Sequence, residues 1–555
     1  MGYGKYGTFG ARRRAGFPWL ELISIFCLLA AVGLAFVQLV SFANQQETFP
    51  SGTCVGVVCL DNLTRAEAVA ALEQAYASGI VLMYKDNPII LEPSSIGFRL
   101  NSDTIMAEIE NSIEQKSFWE GFWDFIWRRP NVPVTVEISS QFIPSQLRAF
   151  LEDVALRYDQ PPAPASYDLN TFTFRDGQPG YTMDIETSLP LVEAALQDPT
   201  NRMVELVVEE TDAPKPDLAT LRNLILAYFD SIEFVYDGRN QLASIFIMDL
   251  QTGQEISINA DIAFAGMSMI KIPILADMFR KLDYAANEEE AYLIAQTMIC
   301  SGNFTANLLL QLTGNGNQCA GADDVTNMLQ ELGLRNTFLT ASLAEAGAQE
   351  CPFVTRETPA NQNPSYNTRP DPQSQTTPED IGTLLGMIYE CATHGGGGLI
   401  AAYPDQFTPN ECQQMIEVMQ GNRIGVLLEK GVPENTRVAH KHGWIEDTHG
   451  DVGIVFTPGG DYVLAMMFYN ETFLNYQAYW PVMEDISRAT YNLFNPTAPL
   501  LASRETTPAE ECRVDERARQ VVDLNNIEPF IQVVLPDQAR TLPNPQPSRG
   551  CVSAP

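Results

Sequence analysis

The chain has 555 residues, with 69 acidic against 34 basic side chains and a formal net charge of −35. That length is more than one hydrophobic core accommodates, so two or three domains are expected. The acidic balance excludes a nucleic-acid partner, because a polyphosphate backbone would be repelled.

The first elements run against that balance. Lys5, Arg12, Arg13 and Arg14 precede any acidic residue, and residues 1–16 read as a basic cytoplasmic tail. Leu22–Val40 then supplies 19 residues without a charge, about the length that crosses a bilayer as a helix. Residues 17–43 are therefore expected to be a single transmembrane anchor in the cell membrane. Basic residues stay on the cytoplasmic side, which leaves about 510 residues on the outer face. A cleaved signal peptide is the alternative: Ser41-Phe42-Ala43 has the small-residue spacing, although the apolar run exceeds the roughly 7–15 residues of a signal core. Of the ten cysteines only Cys27 lies in the run, and none forms a CxxC pair. An exported chain can oxidise the other nine. Pairing neighbours gives Cys54–Cys59, Cys300–Cys319, Cys391–Cys412 and Cys512–Cys551, with Cys351 left over.

Residues 51–212 contain an internal echo. "LTRAEAVAALEQAY" (63–76) has helical apolar spacing, is followed by strand-like "GIVLMYKDNPIIL", and ends in Gly97-Phe98-Arg99-Leu100-Asn101. "IPSQLRAFLEDVALRY" (143–158) is helical again and leads to Gly180-Tyr181-Thr182-Met183-Asp184. Each copy reads as a helix followed by a hairpin, which gives an α+β module. It carries no histidine and no clustered nucleophile and base. This stretch resembles the peptidoglycan-binding domain found beside VanW domains in bacterial surface proteins, which implies attachment to cell-wall polymer. A spacer that lifts the next domain from the membrane is the competing reading. "TDAPKPDL" (211–218) is a linker by composition.

The chemistry begins in "DIAFAGMSMIKIPILADMF" (261–279), a greasy helix that carries Ser268 and Lys271 on one face. A lysine kept dry gives up its proton more readily, and a serine needs such a partner to become a nucleophile. The S-x-x-K spacing alone says little; a snorkelling lysine and a tolerated serine would look the same. Ile270 stands where a G-x-S-x-G elbow needs glycine, and only four histidines (394, 440, 442, 449) are available for a triad. Downstream, "QTMICSGNFTANLLLQL" places Ser301-Gly302-Asn303 before a helix, and "VAHKHGWIEDTHGDVGIVF" places Lys441-His442-Gly443 at the end of a strand. His440 and His442 share a strand face, but Gly443-Trp444 follow where a metal motif would add an acid and a histidine, so neither a metal nor another cofactor is expected.

S-x-x-K, S-x-N and K-x-G in this order resemble the signature set of class A β-lactamases and penicillin-binding proteins. "QTTPEDIGTLLGMIY" is similar to that family's threonine-capped helix. The resemblance spans 216–496 and implies an antiparallel sheet flanked by helices, so the whole chain is expected to be a multi-domain α+β protein with a β-lactamase-like α/β sandwich. It implies Ser268 as the acylated nucleophile, Lys271 as its base and Ser301 as the proton path to the leaving nitrogen. Asn303, Lys441, His442 and Gly443 would line the substrate, and the backbone N–H groups of Ser268 and Trp444 would form the oxyanion hole. Two positions depart from the family: Gly302 stands for the usual aspartate and His442 for the usual threonine or serine. In Glu357-Thr358-Pro359-Ala360-Asn361 the E-x-x-x-N pattern implies a water-activating role for Glu357; a surface glutamate in a proline-rich loop is the competing reading. Residues 497–555 read as an extended Pro-rich tail. Three functions stay open: a β-lactamase, a D-Ala-D-Ala-type peptidase of the wall, and a non-catalytic wall-binding protein.

Overall fold

The computed structural model describes residues 19–113, 116–506 and 512–535. The chain divides into two compact units, Met1–Pro162 with Pro179–Asp212, and Ala163–Gln178 with Ala213–Pro555.

In the first unit α1 (Trp19–Gln45) is the one helix among the described residues that is long and apolar enough to cross a membrane, and its most apolar stretch is not buried by the protein. A capping box of Thr64 and Glu67 opens α2 (Arg65–Tyr76). The hairpin of β1 (Ile80–Tyr84) and β2 (Asn87–Leu91) turns Ile80, Leu82 and Tyr84 toward Leu72 and Leu151 in the core. Next come α3 (Ser102–Ser112), α4 (Phe118–Ile126), α5 (Pro144–Tyr158), β3 (Gly180–Met183), α6 (Ile185–Gln197), β4 (Met203–Glu205) and β5 (Val208–Thr211). β4 adds parallel to β1, and β5 pairs antiparallel to β3. The repeated motif has a local meaning: Asn101 and Asp184 are the N-cap residues of α3 and α6, and Asp184 accepts from the Thr187 N–H at 3.0 Å.

The short strands Ser166–Asp168 and Thr173–Arg175 lie within 51–212 in chain order yet belong to the second unit. Phe172 and Phe174 enter its core, and Asn492 donates to the Phe172 carbonyl.

The second unit opens with α7 (Leu218–Ser231) and is built on a five-stranded antiparallel sheet. Its strands are β6 (Gln241–Asp249), β7 (Glu255–Ile258), β8 (Arg437–Trp444), β9 (Thr448–Phe456) and β10 (Tyr462–Asn470), ordered β7-β6-β10-β9-β8. Strands such as "YVLAMMFYN" are apolar on both faces because helices cover both. Phe246, Val452, Ile454, Ala465 and Met467 face one core, and Ile245, Ile247, Val455, Leu464 and Met466 the other. The first of these cores holds α8 (Lys271–Lys281), α9 (Glu288–Ile299), α10 (Asn303–Thr313), α11 (Gln318–Glu331), α12 (Pro378–His394) and α13 (Pro409–Met419); the second is closed by α7 and α14 (Tyr476–Phe494).

The segment read as an extended tail is partly helical: α15 (Glu516–Gln520) and α16 (Glu528–Val534) bury Ala518, Phe530, Ile531 and Val534 against the α8–α13 core. The apolar run "PFIQVV" inside the polar segment is the physical reason. The disulfides are Cys54–Cys59, Cys300–Cys512, Cys319–Cys351 and Cys391–Cys412. Neighbour pairing is therefore corrected at Cys300, Cys319, Cys351 and Cys512, where the fold brings distant segments together; Cys551 lies outside the described residues.

Candidate active site

Ser268 sits on one 3-10 turn, Met267–Ile270, that runs directly into α8, so Lys271 follows it by one turn. Lys271 is fully buried, while Ser268 is partly open to solvent. Lys271 Nζ donates to Ser268 Oγ at 2.7 Å and to Asn303 Oδ1 at 2.7 Å, and lies 3.5 Å from Ser301 Oγ. Four of the residues singled out in the sequence thus meet around one amine. Burial, and next the charge of Lys441, holds the Lys271 pKa well below the usual lysine range.

Backbone strain marks both halves of the cluster. Met267 (φ 48°) and Ser301 (φ 58°) are non-glycine residues in the left-handed region, a conformation that costs about 1–3 kcal/mol and persists where surrounding structure enforces it. Asn303 is the first residue of α10, and Asn307 lies one turn on. Asn307 was not singled out by sequence, although its i+4 spacing from Asn303 was the available signal. Its amide donates to the Leu343 carbonyl at 2.8 Å and accepts from the Leu343 N–H at 2.7 Å. This clamp holds the loop so that Asn303 Nδ2 donates to the Ala344 carbonyl at 3.2 Å. An amide nitrogen carries two N–H groups, so one contact to Ala344 leaves a second donor for a ligand.

The edge strand β8 supplies the other wall. A methyl group built on Gly443 would lie 2.7 Å from the Ser268 nitrogen and 2.9 Å from Met267 Cβ. Only glycine lets the strand come this close to the nucleophile's own N–H, and Trp444 N follows one residue later. Gly443→Ala is expected to shift that contact at a cost of about 1–3 kcal/mol. Acylation should slow by about tenfold or more, measured as the rate of β-lactam labelling alongside a melting curve that shows the fold retained.

Lys441 is fully buried, and its ammonium donates to the His442 carbonyl at 3.0 Å. Burial pushes its pKa down to about 7, against the opposing carboxylate of Asp451. His442, His440 and Asp451 lie on the other face of the hairpin from Lys441. Asn422 Nδ2 donates to His442 Nδ1 at 3.1 Å, and the ring stacks on Trp444 with centroids 4.7 Å apart. His440 Nδ1 pairs with Asp451 Oδ1 at 2.8 Å, both fully buried. Burial disfavours the imidazolium, but the Asp451 carboxylate outweighs it and raises the pKa of His440. His449 accepts from Trp480 Nε1 at 2.9 Å. The histidines of this hairpin are therefore committed to supporting β8, and no group of three or more His, Cys, Asp or Glu side chains among the described residues is placed to hold a metal.

Glu357 makes none of the cluster's described hydrogen bonds. It is exposed and, among the described residues, has no hydrogen-bond or ion-pair partner. Asn361, the last residue of its E-x-x-x-N pattern, is spent on the loop itself, donating to the Arg356 carbonyl and to Gln375 Oε1 and accepting from the Thr358 N–H.

Residues 229–286 and 290–494 match the profile of the beta-lactamase enzyme family. The match supports a serine-hydrolase domain of β-lactamase type there and does not extend to residues 51–212. Solved structures with a similar fold include a mutant of PBP-A in its acyl-enzyme complex with penicillin G (20% identity, 51% of this chain, 98% of that one, TM-score 0.37). Two others are a beta-lactamase from Sphaerobacter thermophilus (18%, 51% and 100%, TM-score 0.37) and a class A beta-lactamase from Bacteroides cellulosilyticus (16%, 50% and 97%, TM-score 0.36). No curated protein matches the chain.

Proposed function

We propose that this protein is a membrane-anchored acyl-serine enzyme of the outer cell surface, with Ser268 as the nucleophile toward β-lactams and D-Ala-D-Ala-type wall peptides. The observation that carries this reading is the buried Lys271 amine at 2.7 Å from Ser268 Oγ. Lys271, once neutral, takes the serine proton as Oγ bonds to the carbonyl carbon; the amide C–N bond breaks, and Ser301 passes a proton to the leaving nitrogen. The N–H groups of Ser268 and Trp444 face the developing oxyanion. Lys441 supplies positive charge for the substrate carboxylate, and Asn303 binds the substrate's amide. With Leu22–Val40 in the membrane, this site faces the cell wall, and the 51–212 module serves as wall-binding element or spacer.

Two fates of the acyl-enzyme separate a β-lactamase from a penicillin-binding peptidase. Slow release of a β-lactam adduct is favoured by one observation: Glu357 is exposed and, among the described residues, makes no hydrogen bond to the Lys271 cluster. The test is the intact mass of the protein followed over time after penicillin is added. A one-to-one adduct that persists supports the peptidase-type reading; steady turnover with little adduct supports a β-lactamase; no adduct leaves a wall-binding protein. Glu357→Gln is expected to leave the lifetime of the adduct unchanged, and a longer lifetime in that variant would return Glu357 to the release step.

A further inference from the structure

We infer that α4 is a membrane-interface helix, lying in the headgroup region of the outer leaflet beside the point where α1 leaves the bilayer. The inference rests on the reading of α1 as a membrane span.

Phe42 lies twenty residues beyond Leu22, about 30 Å along a helix axis, which equals the thickness of a bilayer's hydrocarbon core. At that height Phe42 is enclosed by α4: its ring meets Phe118, Phe122 and Phe125 at centroid distances of 5.3, 5.7 and 5.6 Å. Gly121 makes the approach possible, since a methyl group there would lie 3.0 Å from Phe42 Cζ. The face of α4 that carries these contacts is thus fixed to the end of the span.

Its other face is left uncovered by the described residues. Trp119, Trp123 and Trp127 follow one another at one-turn spacing and are 61%, 55% and 69% exposed. Half of the chain's six tryptophans therefore stand in the open within a dozen residues, an arrangement that water penalises and that a bilayer interface favours, because indole pairs an apolar body with an N–H donor. Cations bracket the stripe. Lys116 and Arg129 each pair with Asp124 at 3.0 Å, and the exposed Arg128 has no partner among the described residues. A basic fringe around an aromatic face suits lipid phosphates. The capping box of Ser117 and Glu120 starts the helix without help from the membrane, so the face is formed before it meets lipid.

The test uses the full chain in phosphatidylglycerol-containing vesicles whose acyl chains are brominated either near the glycerol or near the methyl end. The emission lost in the triple variant W119F/W123F/W127F isolates the three indoles. That component is expected to lose most of its intensity to the shallow bromines, less to the deep ones and little to aqueous iodide. Iodide quenching with no effect of bromine overturns the inference, as does protection of the same indoles by soluble peptidoglycan fragments in place of lipid. Leu34→Trp in the triple background reports on the span. If that residue is quenched by the deep bromines and the α4 indoles are not, the interface helix fails alone; if neither is quenched, the span reading fails with it.

Discussion

Ser268→Ala is expected to abolish the covalent mass increment with penicillin altogether, while the protein melts as the parent does. The side chain is partly exposed and makes its one described hydrogen bond to Lys271, so removing a single oxygen leaves the α8 core unaltered. The other described hydroxyl at that amine, Ser301, is not expected to substitute. Ser301 lies 3.5 Å from the same Nζ and precedes α10, apart from the turn that carries the Ser268 N–H. An adduct that survives in the alanine variant would locate the nucleophile elsewhere and remove the basis of the proposed chemistry.

Lys271→Met keeps the length and the burial but removes the base. Acylation should then fall by about 10²–10⁴-fold, the usual worth of a positioned proton acceptor. A structural role alone would not predict the accompanying change in pH profile. In the parent, Lys271 works only when neutral, and burial, followed by the charge of Lys441, lowers its pKa; the rate therefore climbs as pH rises through its titration. Lys441 works only when charged, and its pKa is pushed down to about 7, so binding of a carboxylate substrate fades above that point. The product is a bell whose limbs belong to the coupled pair. In Lys271→Met the rising limb should vanish and the falling limb remain. A rate loss with both limbs intact would make Lys271 a packing residue. The measurement is the second-order acylation constant across pH 5 to 9, with intact mass as the readout.

The cluster was legible in the sequence because its pieces are local. S-x-x-K puts two groups on one helical face, and S-x-N precedes a helix whose first turn fixes where Asn303 points. K-x-G needs only a strand edge and a residue without a side chain. What escaped was long-range. Cys300 and Cys512 are 212 residues apart in sequence, and Cys319 and Cys351 are 32 apart, whereas neighbour pairing found Cys54–Cys59 and Cys391–Cys412. The hairpin at 166–175 sits, in chain order, inside the first module, and only packing of Phe172 and Phe174 reveals which core it completes. Glu357 marks another limit: its spacing matches the E-x-x-x-N pattern, but spacing does not determine the course of a proline-rich loop. The place of His442 in the K-x-G box implies that it lines the substrate; the structure adds that its Nδ1 is bound to Asn422 and its ring to Trp444.

The Cys300–Cys512 bond has a consequence for how the C-terminal segment could be released. Cys300 immediately precedes Ser301, so the covalent tether from the C-terminal segment ends beside the proposed proton path. The same segment is held a second time, by Phe530 and Ile531 in the α8–α13 core and by Arg519 against Glu289 at 2.8 Å. A protease that cuts the chain ahead of Cys512 leaves the piece in place, because the sulfur bridge still retains it. A reductant alone also leaves it, because the backbone does. Only both insults together break every covalent tie, a two-key lock, and a fragment trimmed to the β-lactamase-like region would start with both keys already turned.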